Sequence, residues 1–117
     1  PVRPDALART RPDYAAIERF LDRFGAVVLY VAACDPAAGT ARARSFGHTA
    51  AMGEDPATGG AAGPLMSYLH ARAGLTELTI QQGVEMGRPS RLSCSTEGER
   101  PRVSGRVALV VRGTLRL

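Results

Sequence analysis

The 117 residues include no tryptophan, and aromatic side chains make up only 5% of them. Surfaces that stack nucleotide bases are therefore not on offer. Lysine is also missing, and every basic residue is an arginine, scattered from Arg3 to Arg116 rather than gathered into a run. The formal net charge of +4 thus reflects an arginine-rich composition of the kind a GC-rich genome produces, and no nucleic-acid partner is expected. The two cysteines, Cys34 and Cys94, form no C-x-x-C pair, and with two scattered histidines they fall short of a metal-ligand set. They are expected to be free, buried thiols, with no metal bound. No apolar run approaches the ~20 residues of a membrane helix, so no membrane partner is expected. Pro1-Val2-Arg3-Pro4 is not followed by the apolar core of a secretory signal, and the expected location is cytoplasmic.

The length supports one domain, residues 1–117, burying roughly 65% of the surface its unfolded chain would expose. Apolar residues at Tyr14, Ile17, Phe20, Leu21 and Phe24 recur at helical spacing and predict an amphipathic helix over Asp13–Phe24, stopped by Gly25. Ala26 to Cys34 is a continuous apolar, β-branched run that reads as a strand buried on both faces. After a turn at Asp35–Gly39, Thr40 to Phe46 alternates as a strand with one wet face. Further strands are expected at Thr76–Gln82, Arg91–Glu97 and Arg102–Leu117, the last two joined by a hairpin loop at Glu97–Pro101. The class is α+β.

Chemistry concentrates in Gly53-Glu54-Asp55-Pro56-Ala57-Thr58-Gly59-Gly60-Ala61-Ala62-Gly63-Pro64-Leu65. Proline is tolerated only within about the first helical turn, so Pro64 predicts a long helix beginning near Gly60 or Ala61, capped by Thr58 or Gly59 and closed by Gly74. The amides of Thr58, Gly59, Gly60 and Ala61 then lack intrahelical partners, and the glycines let a carboxylate or phosphate approach them. A capped helix start that binds nothing accounts for the same pattern. Asp55 is the candidate acid or base, or else a turn cap, and Glu54 reads as its solvated neighbour. His70, in the last turn, suits the negative end of the helix dipole.

The stretch Glu54–Leu65 resembles the E-D-P-A-T-G-S-A-x-G-x-L motif of the phenazine-biosynthesis PhzF-like isomerases. Gln82-Gly83-Val84-Glu85-Met86-Gly87-Arg88-Pro89-Ser90 matches their Q-G-x-E-M-G-R-P-S run without a break. Arg11–Ala16 and Val103–Val110 resemble the family too, so the likeness spans nearly the whole chain, as the C-terminal half of such a protein. It implies one half of a diaminopimelate epimerase-like fold, a mainly antiparallel sheet curled around a central helix, with the active site in a cleft between two halves. By the resemblance, Asp55 contributes to proton transfer, while Gly59 and Gly60 amides hold a substrate carboxylate. The family's principal Glu belongs to the other half.

Gly60 stands where the family has Ser, and Phe46–Met52 departs from the usual F-A-P-x-x-G-I, placing His48 near the motif as a candidate replacement acid or base. The Gln82–Ser90 run is either a bend, with Arg88 paired to Glu85, or a wall of the cleft, and the second reading is preferred. The implied function is half of a cofactor-independent isomerase or epimerase acting on a small carboxylate-bearing metabolite, completed by a second copy or a separate N-terminal half. The alternative is a non-catalytic small-acid-binding or accessory half-domain. No cofactor is expected.

Overall fold

The computed structural model describes residues 2–98 and 100–116. Two helices come first, α1 (Pro4–Arg9) and α2 (Tyr14–Asp22), followed by β1 (Val28–Asp35), β2 (Thr40–Gly47) and the two-residue β3 (Glu54–Asp55). Then come α3 (Gly59–Ala73), β4 (Glu77–Gln82), β5 (Ser90–Glu97) and β6 (Arg100–Gly105). The strands make one sheet in the order β1-β2-β4-β5-β6, with β3 alongside β2. Every pairing is antiparallel except β2 with β4, which the chain links by crossing over through α3.

Alternation along the strands sorts side chains onto two faces. Ala41, Ala43, Leu78, Ile80, Leu92 and Cys94 turn inward and close on Ala62, Met66 and Leu69 of α3. Small residues on both sides let helix and sheet approach, and Met66 and Ile80 lose all their exposure. Each such large side chain contributes roughly 1.5–3 kcal/mol by leaving water. On the opposite face, Ile17 and Leu21 of α2 pack on Phe46. Asp13 starts α2 by accepting the Ala16 amide at 3.0 Å. Its expected apolar stripe is only partly used, since Phe20 and Phe24 stay exposed and lie against each other, with ring centroids 5.1 Å apart and planes tilted by 54°.

Four expectations are corrected. β1 is an edge strand whose residues are mostly half-buried, because only one of its sides has a neighbour. β2 has no wet face: α1 and α2 cover the side that α3 does not, and even Arg44 is buried. The final strand stops at Gly105, which pairs with Leu92 near the start of β5. Beyond it almost no neighbour remains to pair with, so residues 106–116 are irregular and exposed; Leu117 lies outside the described residues. The loop before β6 tightens to a turn, since Glu97 already pairs with Arg100 and Gly98 takes φ +63°; Glu99 is likewise outside the described residues. Helix α1 and strand β3 had no periodic signal.

Candidate active site

β3 delivers Asp55 to the mouth of α3. Two residues pair with Phe46 and Ser45 of β2 before Pro56, which has no N–H to continue a ladder. The Asp55 carboxylate then accepts from the Ala57 amide at 3.3 Å and from the Thr58 hydroxyl at 2.7 Å. That local turn carries the chain into α3. Thr58 is the N-cap residue, yet its side chain makes no bond to the helix amides: its hydroxyl is turned away, donating to Asp55 and accepting from Gln82.

Gln82, completely buried at the end of β4, holds this turn from beneath. Its Nε2 donates to the Asp55 carbonyl at 2.7 Å and to Thr58 Oγ1 at 2.9 Å. Its Oε1 accepts from the Thr58 amide at 3.3 Å and from the Tyr30 hydroxyl at 2.9 Å. Burial pushes the Tyr30 phenol up from its ordinary value of 10.0, and the nearby thiols and Asp55 act in the same direction.

These contacts narrow the four expected free amides to two. The Thr58 N–H is taken by Gln82 and the Ala61 N–H by the Thr58 carbonyl at 3.2 Å. Gly59 and Gly60 make no amide hydrogen bond among the described residues, and both are exposed. Helix α3 begins at Gly59, one residue earlier than expected, which leaves Pro64 beyond the first turn. A Cβ on Gly60 meets nothing within 4 Å. Gly60→Ser is therefore expected to fold normally, gain up to about 0.5 kcal/mol from helix propensity, and place a hydroxyl donor at the helix mouth. Thermal unfolding and amide NMR shifts on titration with benzoate check both effects.

The structure sends His48 elsewhere. Its Nε2 lies 2.8 Å from Asp22 Oδ1 at the end of α2, so the ring pins the 47–53 loop to that helix instead of meeting the Asp55 carboxylate. Glu54 is no solvated neighbour: it grips Arg44 through two bonds of 2.8 Å each. Glu85 pairs with Arg42 of β2 at 2.6 Å, so the Arg88–Glu85 contact of the bend reading is not made. His70 bonds the Leu75 carbonyl through Nδ1 at 2.8 Å, beside the Gly74 cap. Cys34 and Cys94 are free, with burial pushing both thiols up. Among the described residues no three His, Cys, Asp or Glu side chains cluster as metal ligands, and no helix is long and apolar enough to cross a membrane.

A cleft of about 570 Å³ opens at the helix mouth, lined by Ala57, Gly59, Pro89, Ser90, Val103 and Arg106 among others. The Gln82–Ser90 run thus supplies both the support beneath Asp55 and, through Pro89 and Ser90, one wall of this cleft. Of the two free amides this cleft reaches that of Gly59, and Asp55 lies outside its lining; the larger cleft, of about 910 Å³ along β1, β2 and β4, reaches none of the three residues. Sequence reasoning missed Gln82, Tyr30 and Arg44. A signal existed for the first: Gln82 sits at the inward register of Leu78 and Ile80, where a polar side chain must find partners.

A carboxylate set at the mouth of a helix that a curled, mainly antiparallel sheet embraces belongs to the diaminopimelate epimerase-like folds. The solved structure of a predicted epimerase from Pseudomonas aeruginosa superimposes with a TM-score of 0.68 and 33% identity, over 98% of this chain and 40% of that one. A PhzF family protein from Enterococcus faecalis shares the fold at a TM-score of 0.62 and 20% identity, over 92% of this chain and 42% of its own. The phenazine biosynthesis-like protein family, PhzC-PhzF, matches residues 4–113, and the chain belongs to it. It is 39% identical over 121 aligned positions to the trans-2,3-dihydro-3-hydroxyanthranilate isomerase of Pseudomonas fluorescens, covering 95% of this chain and 41% of that enzyme. An uncharacterized isomerase of Pseudomonas aeruginosa is 43% identical over 74 residues, 63% of this chain and 28% of its own. The chain therefore spans about two fifths or less of these relatives' length.

Proposed function

We propose that this chain forms one side of a PhzF-type isomerase site, in which proton transfer takes place on a small carboxylate-bearing metabolite. The observation that carries the reading is the juxtaposition at the helix mouth: the exposed Asp55 carboxylate lies three residues from Thr58, with the unpaired Gly59 and Gly60 amides immediately beyond. Those amides and the positive end of the helix dipole bind the substrate carboxylate without a cationic side chain. Asp55 then gives or takes a proton at a carbon made acidic by an adjacent unsaturated group. The metabolite enters through the cleft walled by Pro89 and Ser90, and the chemistry calls for no cofactor.

A second half closes the site and brings the partner proton-transferring group. A second copy of this chain meets the geometry, because a symmetric dimer has the two-fold relation that the halves of such a fold share approximately. A separate N-terminal half is the other source. The absent hydroxyl at Gly60 favours, as a second reading, a module that binds a small acid without turning it over.

The test follows trans-2,3-dihydro-3-hydroxyanthranilate in deuterated buffer by NMR, across protein concentrations that span dimerisation. Wild-type protein is expected to introduce deuterium at carbon, and Asp55→Asn to slow this by about 10²-fold or more. Equal rates in the two proteins remove Asp55 from the reaction. Saturable binding without deuterium uptake selects the binding-module reading.

A further inference from the structure

We infer that Gln82 is a positioning residue for Asp55, acting through Thr58: its buried carboxamide fixes the direction of the Thr58 hydroxyl and so aims that hydroxyl's proton at the Asp55 carboxylate. The inference rests on the reading of Asp55 as the proton-transferring group. Gln82 is 0% exposed and makes four hydrogen bonds, to groups whose polarity is fixed or fixed by their surroundings. The Asp55 carbonyl can only accept and the Thr58 amide can only donate, so just one orientation of the carboxamide satisfies both.

That orientation points Nε2–H at Thr58 Oγ1. With a lone pair so engaged, the hydroxyl turns its own proton outward, onto Asp55 Oδ2 at 2.7 Å. Tyr30 completes the lock by donating to Oε1, and its burial keeps the phenol protonated for that purpose. A residue serving only to fill the core needs none of this: Leu78 and Ile80, at the same inward register, fill it with carbon. Met at position 82 keeps the volume and loses all four bonds. Glu keeps the acceptor side and turns both donors into acceptors, which offers the Thr58 proton a second carboxylate.

The decisive readout is the Thr58 hydroxyl rotamer about Cβ–Oγ1, measured by the three-bond Hβ–Hγ1 NMR coupling of the hydrogen-bonded proton, because a residue that only fills space does not set that torsion. One rotamer is expected in the wild type, and rotamer averaging in folded Gln82→Met and Gln82→Glu. A fixed Thr58 hydroxyl rotamer in either folded variant overturns the proposal. If neither variant folds, the wild type decides: the Gln82 side-chain NH₂ protons are expected to resist solvent exchange, and exchange at the free-amide rate overturns it. In the deuteration assay, Gln82→Glu is expected to lower kcat about tenfold with KM within about threefold. Silence of the wild type in that assay removes the functional reading alone, and the rotamer still decides this one.

Discussion

Arg44→Ala is expected to lower the free energy of unfolding by about 3–5 kcal/mol, a large share of the 5–15 kcal/mol typical of a domain. Arg44 is 5% exposed and stands on the outward face of β2 beneath α1. Its guanidinium forks onto both oxygens of Glu54 at 2.8 Å and also donates to the Leu7 and Thr10 carbonyls, at 3.2 and 2.7 Å. The Glu54 carboxylate pushes the guanidinium pKa further up, so the charge is permanent. Truncation strands Glu54 as an unpaired, mostly buried carboxylate and takes one donor from each of two carbonyls at the end of α1, leaving that of Leu7 with the Thr10 amide and that of Thr10 with the Arg11 guanidinium. Arg44→Lys keeps the charge but loses the planar fork and is expected to recover only part of the loss. Removing both charges, as Arg44→Met with Glu54→Gln, is expected to cost less than Arg44→Ala alone, because no uncompensated charge stays behind. Urea unfolding of the four proteins measures the series, and an Arg44→Ala loss under about 1 kcal/mol would reduce the pair to the value of a surface contact. Glu54 precedes Asp55 and shares β3 with it, so the same series should loosen the helix mouth, read as faster amide exchange at Ala57 and Thr58.

The order of elements around α3 was legible because local signals settle it. Gly74 closes the helix and Pro64 places its start to within a residue, while the inward alternation of Leu78 and Ile80, then Leu92 and Cys94, marks two strands. What stayed hidden depends on neighbours distant in sequence. Thr40 to Phe46 alternates as a half-wet strand should, yet Arg44 is buried, because α1 arrives from 37 residues upstream to accept its hydrogen bonds. The tail after Gly105 carries a strand pattern without a strand to pair with. At the candidate site, the motif and the helix start mark the turn at Asp55 and the open amides of Gly59 and Gly60, and the fold brings these groups together. His48 lies near the motif in sequence, and the fold turns its ring to Asp22 of α2. The inward register of Gln82 shows that it needs partners, but the Asp55 turn that supplies them lies 27 positions away and Tyr30 a further 25 upstream of Asp55, beyond the reach of any local pattern.

Gly83→Ala is expected to cost about 2–5 kcal/mol and to disturb the site at a distance in sequence. Gly83 takes φ +76°, where a Cβ alone adds about 1–2 kcal/mol. Here the added Cβ also collides with the Arg88 carbonyl and comes within 3.0 Å of both Cα and Cβ of Pro56. These neighbours are backbone or ring atoms with no rotamer to yield, and forcing a methyl among them typically costs a further 1–3 kcal/mol or so. The Arg88 carbonyl belongs to the bend that Gly83 closes by accepting the Arg88 amide at 2.9 Å. Pro56 is the residue after Asp55, so relief of the clash displaces the carboxylate turn. This contact accounts physically for the pairing of the two sequence runs: Gln82 bonds the Asp55–Thr58 turn and Gly83 packs against its proline. Gly87→Ala is the matched control, with φ +68° and nothing within 4 Å of the added carbon. It is expected to pay only the backbone cost, about 1–2 kcal/mol, and to leave the Ala57, Thr58 and Gly59 amide shifts in place. Denaturant unfolding of the two variants, with their amide spectra, separates backbone strain from contact. Equal losses with unmoved Asp55-turn resonances would mean that the close approach of Gly83 to Pro56 carries no weight in holding the site.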